Sequence, residues 1–566
     1  MNTVKTKIAL AVGEFLAAKG AVVEDIAGLL ETPADTKNGD LSLPCFRFSK
    51  ALRMGPPMIA TQLKEALEGA FSEVERIDAV SGYLNFYLSP AFYTAALERI
   101  AAAECFGSSR VGEGKTVCLD FSSPNIAKRF HVGHLGTTAI GGCLKNLYDF
   151  CGYTTVGINH LGDWGTQFGK LIVAYKKWSS AERVKERGIK ELVDIYVRFS
   201  AEAEADPSLN DEARAAFTKL ESLDEEYLAI WQSFKEISLK EYMRTYELLG
   251  IEFDSYNGES FYNDKMDAIV EELRAKGLLV VDDGASIVRL DDYDMPPAII
   301  LKKDGSTLYA TRDITAAIWR KNNYDFHKCI YVTSAGQSLH FAQYFKVVEL
   351  MGYDWAKDLV HVPYGTMSVN GEKLASRTGN VILLDDLFAE AIAKAEKIIE
   401  EKNAGLADKH ATAEAVGVGA IVFGALRDGR IKDTNFVWEE ALSFEGNTGP
   451  YVQYTYARAA SILRKSEGED KASYAAYAPL KEESGLVKLL SAFPDKVLTA
   501  LGDHEPCVIA RFALDVCAAY NLFYHNCTIL KSEGEARAFR LTLTAVTKHV
   551  LGKCLDLLGM KRTEEI

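Results

Sequence analysis

The sequence of 566 residues lacks an apolar run long enough to span a bilayer, and it has no low-complexity tract or evident repeat. Hydrophobic residues make up 48% of the chain and charged residues 25%, as in ordinary globular proteins. Charged side chains interrupt the apolar segment near the N-terminus, so we predict an amphipathic helix there and not a signal peptide. These absences exclude membrane-embedded, fibrous and disordered classes, and we expect a cytoplasmic protein.

The ten cysteines include no C-x-x-C pair. The regular spacing of Cys507, Cys517 and Cys527 matches no common metal framework, and we expect these thiols to be reduced and packed in a core. No bound metal, no zinc and no tightly bound prosthetic group are therefore expected.

The formal charge of -15 argues against a protein that coats nucleic acid non-specifically. It does not exclude a nucleic-acid substrate, because phosphate contacts depend on a local basic track and not on the total charge.

Changes of pattern along the chain predict several domains, as expected at this length. Residues 1–110 are predicted to form an N-terminal α+β domain, and residues 111–385 an α/β domain with a helical insertion at about 179–277. A helical connecting region, 386–445, precedes an all-α bundle at 446–566.

Strands and helices alternate in the second of these domains. This alternation predicts a doubly wound parallel sheet, in which a ligand binds at the carboxyl ends of the strands. The predicted strands are Thr116–Phe121, Thr154–Asn159, Ala298–Lys302, Lys328–Thr333 and Leu359–Val362. The predicted helices are His134–Tyr148, Gln167–Trp178, Arg312–Asn322 and Gln337–Met351.

The segment Ser122–His134, here called the first signature, lies where the first of these strands turns into a helix. Backbone N–H groups and the helix dipole attract anions at such a turn. Gly133 allows a nucleotide to approach the backbone, and the imidazoles of His131 and His134 can donate to a phosphate. The four residues His131–His134 alone would also fit a metal site or a helix cap.

The segment Gly371–Asn380, here called the second signature, carries Lys373, Ser376 and Arg377 between glycines. Such a loop can close over a triphosphate and neutralise the charge passed to pyrophosphate as it departs. Standing alone, it would also fit a solvated basic turn.

With the preceding Ser-Ser-Pro-Asn-Ile-Ala-Lys, the first signature resembles the HIGH motif of class I aminoacyl-tRNA synthetases, in its arginyl form. The second signature is similar to the KMSKR loop of the same class. The segment Asn159–Gly169 resembles a stretch typical of arginyl enzymes, and the N-terminal domain resembles the extra domain that contacts the corner of the tRNA. The resemblance covers essentially the full chain.

Three residues depart from the family pattern. Arg129 stands where proline is usual, Gly136 where arginine is usual, and Ser376 where the second lysine of the loop is usual. The resemblance implies that Lys128 replaces that lysine at the ATP phosphates. ATP-binding residues are accordingly expected to be Lys128, His131, Gly133, His134, Lys373, Ser376 and Arg377, with His131, His134, Lys128 and Lys373 catalytic.

A guanidinium substrate offers five donors and needs acidic acceptors. At positions that match the family, we expect arginine to be bound by Asp120, Asn125, Glu259, Tyr309, Asp313 and Gln337. Tyr309 and Asp313 would face its side chain, while Asn125, Glu259 and Gln337 would hold its ammonium and carboxylate. Asp163 and Gln167 are further candidates for substrate contact. Each of these residues could instead be a helix cap, a surface ion pair or core filling.

Near the start of the C-terminal bundle, Tyr451, Tyr454 and Arg458 fall on one face of a predicted helix. Aromatic and cationic groups in this array could stack on unpaired tRNA bases, and core packing is the alternative. The sequence around them resembles the opening of the family's anticodon-binding domain.

Together, these resemblances imply ATP-dependent ligation of L-arginine to tRNA(Arg) through an arginyl-adenylate, with Mg²⁺ accompanying ATP and with activation that waits for bound tRNA. We expect a monomer without DNA or membrane partners. A nucleotidyltransferase shares the His-x-Gly-His turn but is generally shorter, and a catalytically impaired RNA-binding paralogue is the other alternative.

Overall fold

The computed structural model describes residues 2–33, 35–373, 382–466 and 473–566. These residues separate into two compact units, one made of residues 1–107, 455–495 and 513–552 and the other of residues 108–454, 496–512 and 553–566. The N-terminal segment therefore shares a unit with helical segments from the C-terminal part of the chain.

The first unit contains a small antiparallel sheet in the order Leu41–Pro44, Tyr83–Leu88, Val74–Val80. The helix Pro56–Leu67 turns Ile59 and Leu63 into its core, while its other face remains exposed. An ordered contact ties the early and late segments of this unit together, because Lys488 Nζ donates to the carbonyl of Asp40 at 2.8 Å. The α+β character predicted for the N-terminal segment agrees with this arrangement.

Helices accompany this sheet in the first unit. The helical elements of the N-terminal segment are Asn2–Ala18, Ile26–Leu29, Thr36–Asn38, Cys45–Phe48, Ser49–Leu52 and Pro90–Ala102.

A four-stranded parallel sheet forms the centre of the second unit. Its strand order is Leu359–Tyr364, Lys328–Ser334, Thr116–Asp120, Thr154–Ile158. Val117, Cys118 and Leu119 are fully buried, as expected for an inner strand covered on both faces. Asp120 pairs in register with Ile158 on one side and Tyr331 on the other, so the strands end at a common edge.

Helices cover this sheet where the sequence pattern predicts them. Leu135–Phe150 follows the first strand and packs on the sheet, whereas Thr166–Trp178 follows the loop after the second and packs on the helices of the insertion. The helices Tyr309–Tyr324 and Ser338–Leu350 lie on either side of the strand Lys328–Ser334 in the chain. The predicted doubly wound α/β fold is thus confirmed, with helix boundaries shifted by a few residues at most.

The prediction that residues 298–302 add a strand to this alternating sheet is wrong. Ala298–Leu301 is a strand, but it pairs antiparallel with Ala285–Val288, which in turn pairs with Leu279–Asp282 in a separate sheet. Burial alternates along Ala298–Leu301, as expected for a strand with one solvated face.

The insertion is helical, as predicted. Its helices are Ala181–Arg187, Ile189–Ala205, Ser208–Glu221, Glu225–Leu249 and Met266–Ala275. The helix Glu225–Leu249, here called the buttress helix, starts at an Asp224 cap and ends at the left-handed Gly250.

The chain after Asp385 is mainly helical, as expected. The helices are Leu384–Lys402, Lys409–Leu426, Trp438–Ala441, Gly449–Arg464, Lys481–Leu490, Phe493–Asp503, Cys507–Asn526 and Gly534–Leu557. One exception is the strand Thr434–Phe436, which pairs with Met367–Val369 beside the short strand Glu372–Lys373. Cys507–Asn526 is long and apolar enough to cross a membrane by length and composition alone, a test that buried core helices also pass, and half of it is buried.

The helix Leu135–Phe150 packs so closely on Phe121 that position 141 requires glycine. A methyl group there would collide with the Phe121 ring, which is itself buried. We expect Gly141→Ala to lower the free energy of unfolding by about 1–3 kcal/mol through overpacking.

Denaturant unfolding of Gly141→Ala measures this effect. Gly502→Ala is the matched control, because Gly502 lies in a helix of the same unit with open space around it. The control should be neutral or stabilised by up to about 1 kcal/mol. Equal midpoints for the two variants would contradict the packing account.

Candidate active site

The first signature leaves its strand with unusual backbone geometry. Ser122, Ser123 and Ala127 have φ angles of 66°, 46° and 58°, in the left-handed region that residues other than glycine rarely adopt. Such conformations cost about 1–3 kcal/mol each and persist where the surrounding structure fixes them. The loop is therefore held in its shape by its neighbours.

The buttress helix supplies much of that support. Tyr242 Oη lies 2.8 Å from the carbonyl of Asn125 and 2.6 Å from the carbonyl of Lys128, to which its hydroxyl donates. The backbone N–H of Ala127 donates to Ser238 Oγ at 2.8 Å. Ser238 and Tyr242 are buried, so these partly buried bonds start from rigid donors and acceptors and fix the middle of the signature.

Tyr246, one helical turn further along, fixes the beginning of the signature. Its hydroxyl lies 2.8 Å from Ser122 Oγ and accepts a bond of 2.9 Å from the side-chain amide of Asn159. The ring of Phe130 packs against both buttress tyrosines, with centroids 5.3 and 5.7 Å away.

The loop after the second strand supports the signature from the other side. The N–H of Ile126 donates to the carbonyl of Gly162 at 3.2 Å, and the N–H of Gly162 donates to Pro124 at 3.1 Å. A methyl group at Gly162 would overlap the side-chain oxygen of Asn125. Glycine at 162 thus allows the two backbones to meet, and Asn125 lies exposed beside them.

The two signature histidines contact each other, with ring centroids 4.0 Å apart. His131 Nδ1 accepts a bond of 3.1 Å from the N–H of Gly133, and His134 Nδ1 lies 3.3 Å from the N–H of His131. A neutral imidazole that accepts at Nδ1 carries its proton on Nε2. His131 therefore directs an N–H donor away from its own backbone.

Burial, together with the nearby Lys128 ammonium, lowers the pKa of His131. Burial, the adjacent His131 ring and Lys128 lower the pKa of His134 to about 3. Both rings are thus neutral at pH 7. Lys128 is exposed and supplies the positive charge of this cluster.

Gly136, one of the departures from the family pattern, lies against the ring of Tyr364. A methyl group at Gly136 would come within 2.9 Å of that ring. Tyr364 stands at the end of the strand Leu359–Tyr364 and occupies space that a larger side chain at 136 would need.

Residues that follow the second signature are hydrogen-bonded to the first. Val132 N–H donates to the carbonyl of Ile382 at 3.0 Å, and Leu384 N–H donates to Phe130 at 3.0 Å, so that His131 and Leu383 form an antiparallel bridge. At the other end, the backbone of Lys373 pairs with Ser368. The Lys373 side chain, Ser376 and Arg377 lie outside the described residues.

Two of the three predicted arginine-binding carboxylates, Glu259 and Asp313, lie close enough to interact electrostatically, and each already has a protein partner. Glu259 lies 3.6 Å from Arg312, and Asp313 accepts a bond of 2.6 Å from His340 Nε2. Burial raises the pKa of Glu259 to about 7, against the opposing effect of Arg312, and the charges of Asp313 and Asp163 raise it further.

Asp120 is the most heavily occupied of these carboxylates. It lies 2.8 Å from the guanidinium of Arg320, which is 1% exposed, and it accepts a 2.8 Å bond from Ser123 Oγ. Arg320 also lies 3.2 Å from His160 Nδ1. The structure thus pairs Asp120 with an internal guanidinium and with the strained loop.

Asp163 is fully buried and joins three segments. Its carboxylate accepts bonds of 2.7 Å from Lys235 and of 2.8 Å from both the N–H and the hydroxyl of Ser260. Gln167, the other candidate in this stretch, donates to the carbonyl of Trp164 at 3.1 Å. These contacts show how Asp163 fixes the segment that carries Glu259.

Other predicted site residues are more exposed to solvent. Tyr309 is 66% exposed at the start of its helix, and Gln337 is exposed in the turn after Ser334. In the C-terminal helix, Tyr454 packs edge-to-face on Phe444, with ring centroids 5.9 Å apart. Tyr451 is half-buried on the same helix.

Arg458 donates to Asn521 Oδ1 at 2.5 Å, and its guanidinium lies over the ring of Tyr524. These interactions favour packing roles for part of the predicted RNA-stacking face.

Sequence reasoning missed Ser238, Tyr242, Tyr246, Arg320 and His340. All five lie on helices, with ordinary amphipathic spacing. Ser238, Tyr242 and Tyr246 recur every fourth residue, and this spacing marks a helix face without identifying what the face contacts.

The parallel sheet carries the first signature at its carboxyl edge, with the residues that follow the second signature bridged to it, and this is the arrangement of a class I aminoacyl-tRNA synthetase catalytic domain. Residues 97–438 match the family model described as the catalytic domain of class I tRNA synthetases (R). Residues 452–566 match the DALR anticodon-binding domain, and residues 2–88 match the arginyl-tRNA synthetase N-terminal domain.

The chain belongs to the arginyl-tRNA synthetases. It is 45% identical to the arginine–tRNA ligase of Alkaliphilus metalliredigens over 100% of both chains, and 48% identical to that of Clostridium beijerinckii over 96% of this chain and 97% of that one. Thermus thermophilus arginyl-tRNA synthetase superposes with a TM-score of 0.81 at 26% identity, covering 99% of this chain and 100% of that one. The resemblance read from the sequence is confirmed.

The hydroxyl of Tyr242 provides a direct test of loop support. Tyr242→Phe keeps the ring but removes the donor to the carbonyls of Asn125 and Lys128. Because an unpaired buried carbonyl costs about 1–3 kcal/mol, we expect kcat/KM for ATP to fall about 5- to 100-fold.

Steady-state charging measures this loss. Tyr196→Phe, in another helix of the insertion, is the matched control and should retain the kinetics of the parent chain. A Tyr242→Phe enzyme with unchanged kcat/KM would show that the loop keeps its shape without this bond.

Proposed function

We propose that the first and second signatures close around one ATP triphosphate. The observation that carries this proposal is the backbone bridge between His131 and Leu383. This bridge places the residues that follow the second signature beside the histidines of the first. Residues proposed to bind ATP are Lys128, His131, Gly133, His134, Lys373, Ser376 and Arg377.

Neutral histidines and a lysine would have different roles at the triphosphate. The Nε2–H of His131, with that of His134 beside it, would donate to phosphate oxygens without adding a full charge. Lys128 would supply charge as pyrophosphate leaves, together with Lys373. Fixed donors that face developing negative charge need little reorganisation during the reaction, which is why they lower the barrier.

For arginine, we propose Glu259 and Asp313 as the acceptors, with Asn125, Tyr309 and Gln337 as further contacts. Two exposed side chains, Tyr309 and Gln337, remain accessible to a substrate. Asp120 and Asp163 would act by positioning, because their oxygens are already engaged, and Gln167 would contribute at the rim.

Arginine–tRNA ligation by this family uses ATP as a substrate. In the first step, the arginine carboxylate attacks the α-phosphorus, forming arginyl-adenylate and releasing pyrophosphate. In the second, a hydroxyl of the terminal adenosine of tRNA attacks the activated carbonyl, and AMP leaves. Both steps need positioning more than a protein nucleophile.

Mg²⁺ is proposed only as the counter-ion that arrives with ATP. Among the described residues, no group of three or more His, Cys, Asp or Glu side chains could hold a metal ion.

We place the N-terminal domain at 1–110, the catalytic domain at 111–385, the connecting region at 386–445 and the anticodon-binding domain at 446–566. Tyr451, Tyr454 and Arg458 are proposed to contact tRNA, and the protein is proposed to act as a cytoplasmic monomer. Matches to an anticodon-binding model and to an N-terminal domain model support this division.

Removal of the Lys128 ammonium tests the ATP assignment. Lys128→Ala should lower the rate of pyrophosphate exchange in the presence of tRNA(Arg) by about 10²–10³-fold, as loss of a transition-state donor does. Lys190→Ala removes an exposed lysine from the insertion and is the control. Near-normal exchange by Lys128→Ala would remove this residue from the mechanism, and absence of charging by the parent chain would favour an inactive RNA-binding paralogue.

Titration of Glu259 tests the arginine assignment. Its pKa of about 7 means that the carboxyl is partly protonated near neutral pH, and an arriving cation would favour its ionised form. We expect arginine binding at pH 6.5–7 to release protons, to a smaller extent as the pH rises above about 8.

Calorimetry in buffers with different ionisation enthalpies measures this release. Glu259→Gln should bind arginine more weakly and without that proton release. Equal proton release by the parent and variant proteins would assign the titration to another group.

A further inference from the structure

A cavity of about 580 Å³ lies among the insertion helices. Its walls come from the helix Ala181–Arg187, the buttress helix and Tyr175. This volume falls in the range of small-ligand sites. Of the described residues that the resemblance assigned to ATP or arginine, none lines it.

The charge of the cavity is opposite to that of the chain, whose formal net charge is -15. Its lining includes Lys185, Arg187, Lys240 and Arg244, and the carboxylates Glu186 and Glu241. Burial and the nearby Asp385 raise the pKa of Glu241, against the opposing effect of Arg129 and Arg244. A concave surface of one charge sign concentrates counter-ions.

Several of these cations have no carboxylate within bonding distance. Arg187 is engaged by Glu191 and Asp194. In the part of the chain that the structure describes, Lys185 and Lys240 form neither an ion pair nor a side-chain hydrogen bond. Two free ammonium groups on two different helices thus face one cavity.

The uncharged part of the lining has the character of a surface that binds a nucleotide base. Tyr175, Val184, Ile230 and Ile237 give the cavity an apolar side. Aromatic and aliphatic surfaces bind unstacked bases, while lysines bind the attached phosphates.

The cavity also lies back to back with the first signature. Ile237, Lys240 and Glu241 line the cavity from one face of the buttress helix, while Ser238 and Tyr242 hold the signature from another. A ligand in the cavity would therefore contact the element that holds the strained loop.

We propose that this cavity binds a phosphate group carried by a nucleotide, with Lys185 and Lys240 as its cationic contacts. The phosphate can belong to the backbone of the tRNA substrate or to a free phosphate compound. The tRNA source rests on the proposed function.

The test uses the full chain with Lys185→Glu and Lys240→Glu combined. Lys190→Glu is the matched control, because Lys190 is an exposed lysine of the same insertion that does not line the cavity. Lys185→Gln with Lys240→Gln removes the charges without reversing them, should the first variant fold poorly. Thermal unfolding compares the stability of all four proteins.

Binding of a tRNA(Arg) transcript is measured across a range of salt concentrations. If the cavity holds an RNA phosphate, the Kd should rise about 10-fold or more and the salt slope should fall by about 1–2, since each lost phosphate contact lowers it by about one. The control should match the parent chain. The turnover number at saturating tRNA should be retained, whereas Lys128→Ala loses turnover, so failure of one proposal is distinct from failure of the other.

Calorimetric titration with sodium pyrophosphate tests whether the cavity instead binds a free phosphate compound. If the cavity binds a free phosphate compound, the parent chain should take up a pyrophosphate equivalent that the double variant lacks, with tRNA affinity unchanged. Unchanged tRNA affinity, salt slope and pyrophosphate stoichiometry in the double variant would overturn the proposal.

Discussion

The active-site edge depends on the hydrogen bonds between the buttress helix and the first signature. Ser122, Ser123 and Ala127 adopt a left-handed backbone that ordinary residues avoid, and that backbone brings the two histidines to the start of the next helix. Tyr242 and Tyr246 offset this cost from a helix more than a hundred positions later in the chain. The insertion therefore supports the first signature structurally, although it lies outside the parallel sheet.

A second constraint brings together signatures that are far apart in sequence. The bridge between His131 and Leu383 anchors the residues that follow the second signature, and the pairing of Lys373 with Ser368 anchors its beginning. Both anchors are backbone hydrogen bonds, which specify position without specifying side chains.

Patterns of apolar residues predicted the parallel sheet and its helices well, because continuous apolar strands and amphipathic helices have distinct periods. Val117–Leu119, for example, is an apolar run that is fully buried in the structure. The antiparallel pairing of Ala298–Leu301 was not predictable in this way, since a short apolar strand does not encode its partner. The same limit applies to the site. Motifs identified the histidines and Lys128, but Asp120 gave no sign of its buried partner Arg320, which lies two hundred positions away.

A crystal structure with tRNA(Arg), arginine and a non-hydrolysable ATP analogue would test whether the two signatures share one triphosphate, as we propose. We expect phosphate oxygens within about 3.2 Å of His131 Nε2 and Lys128 Nζ, with the second signature over the same phosphates. A triphosphate bound elsewhere, with these two side chains facing solvent, would contradict it.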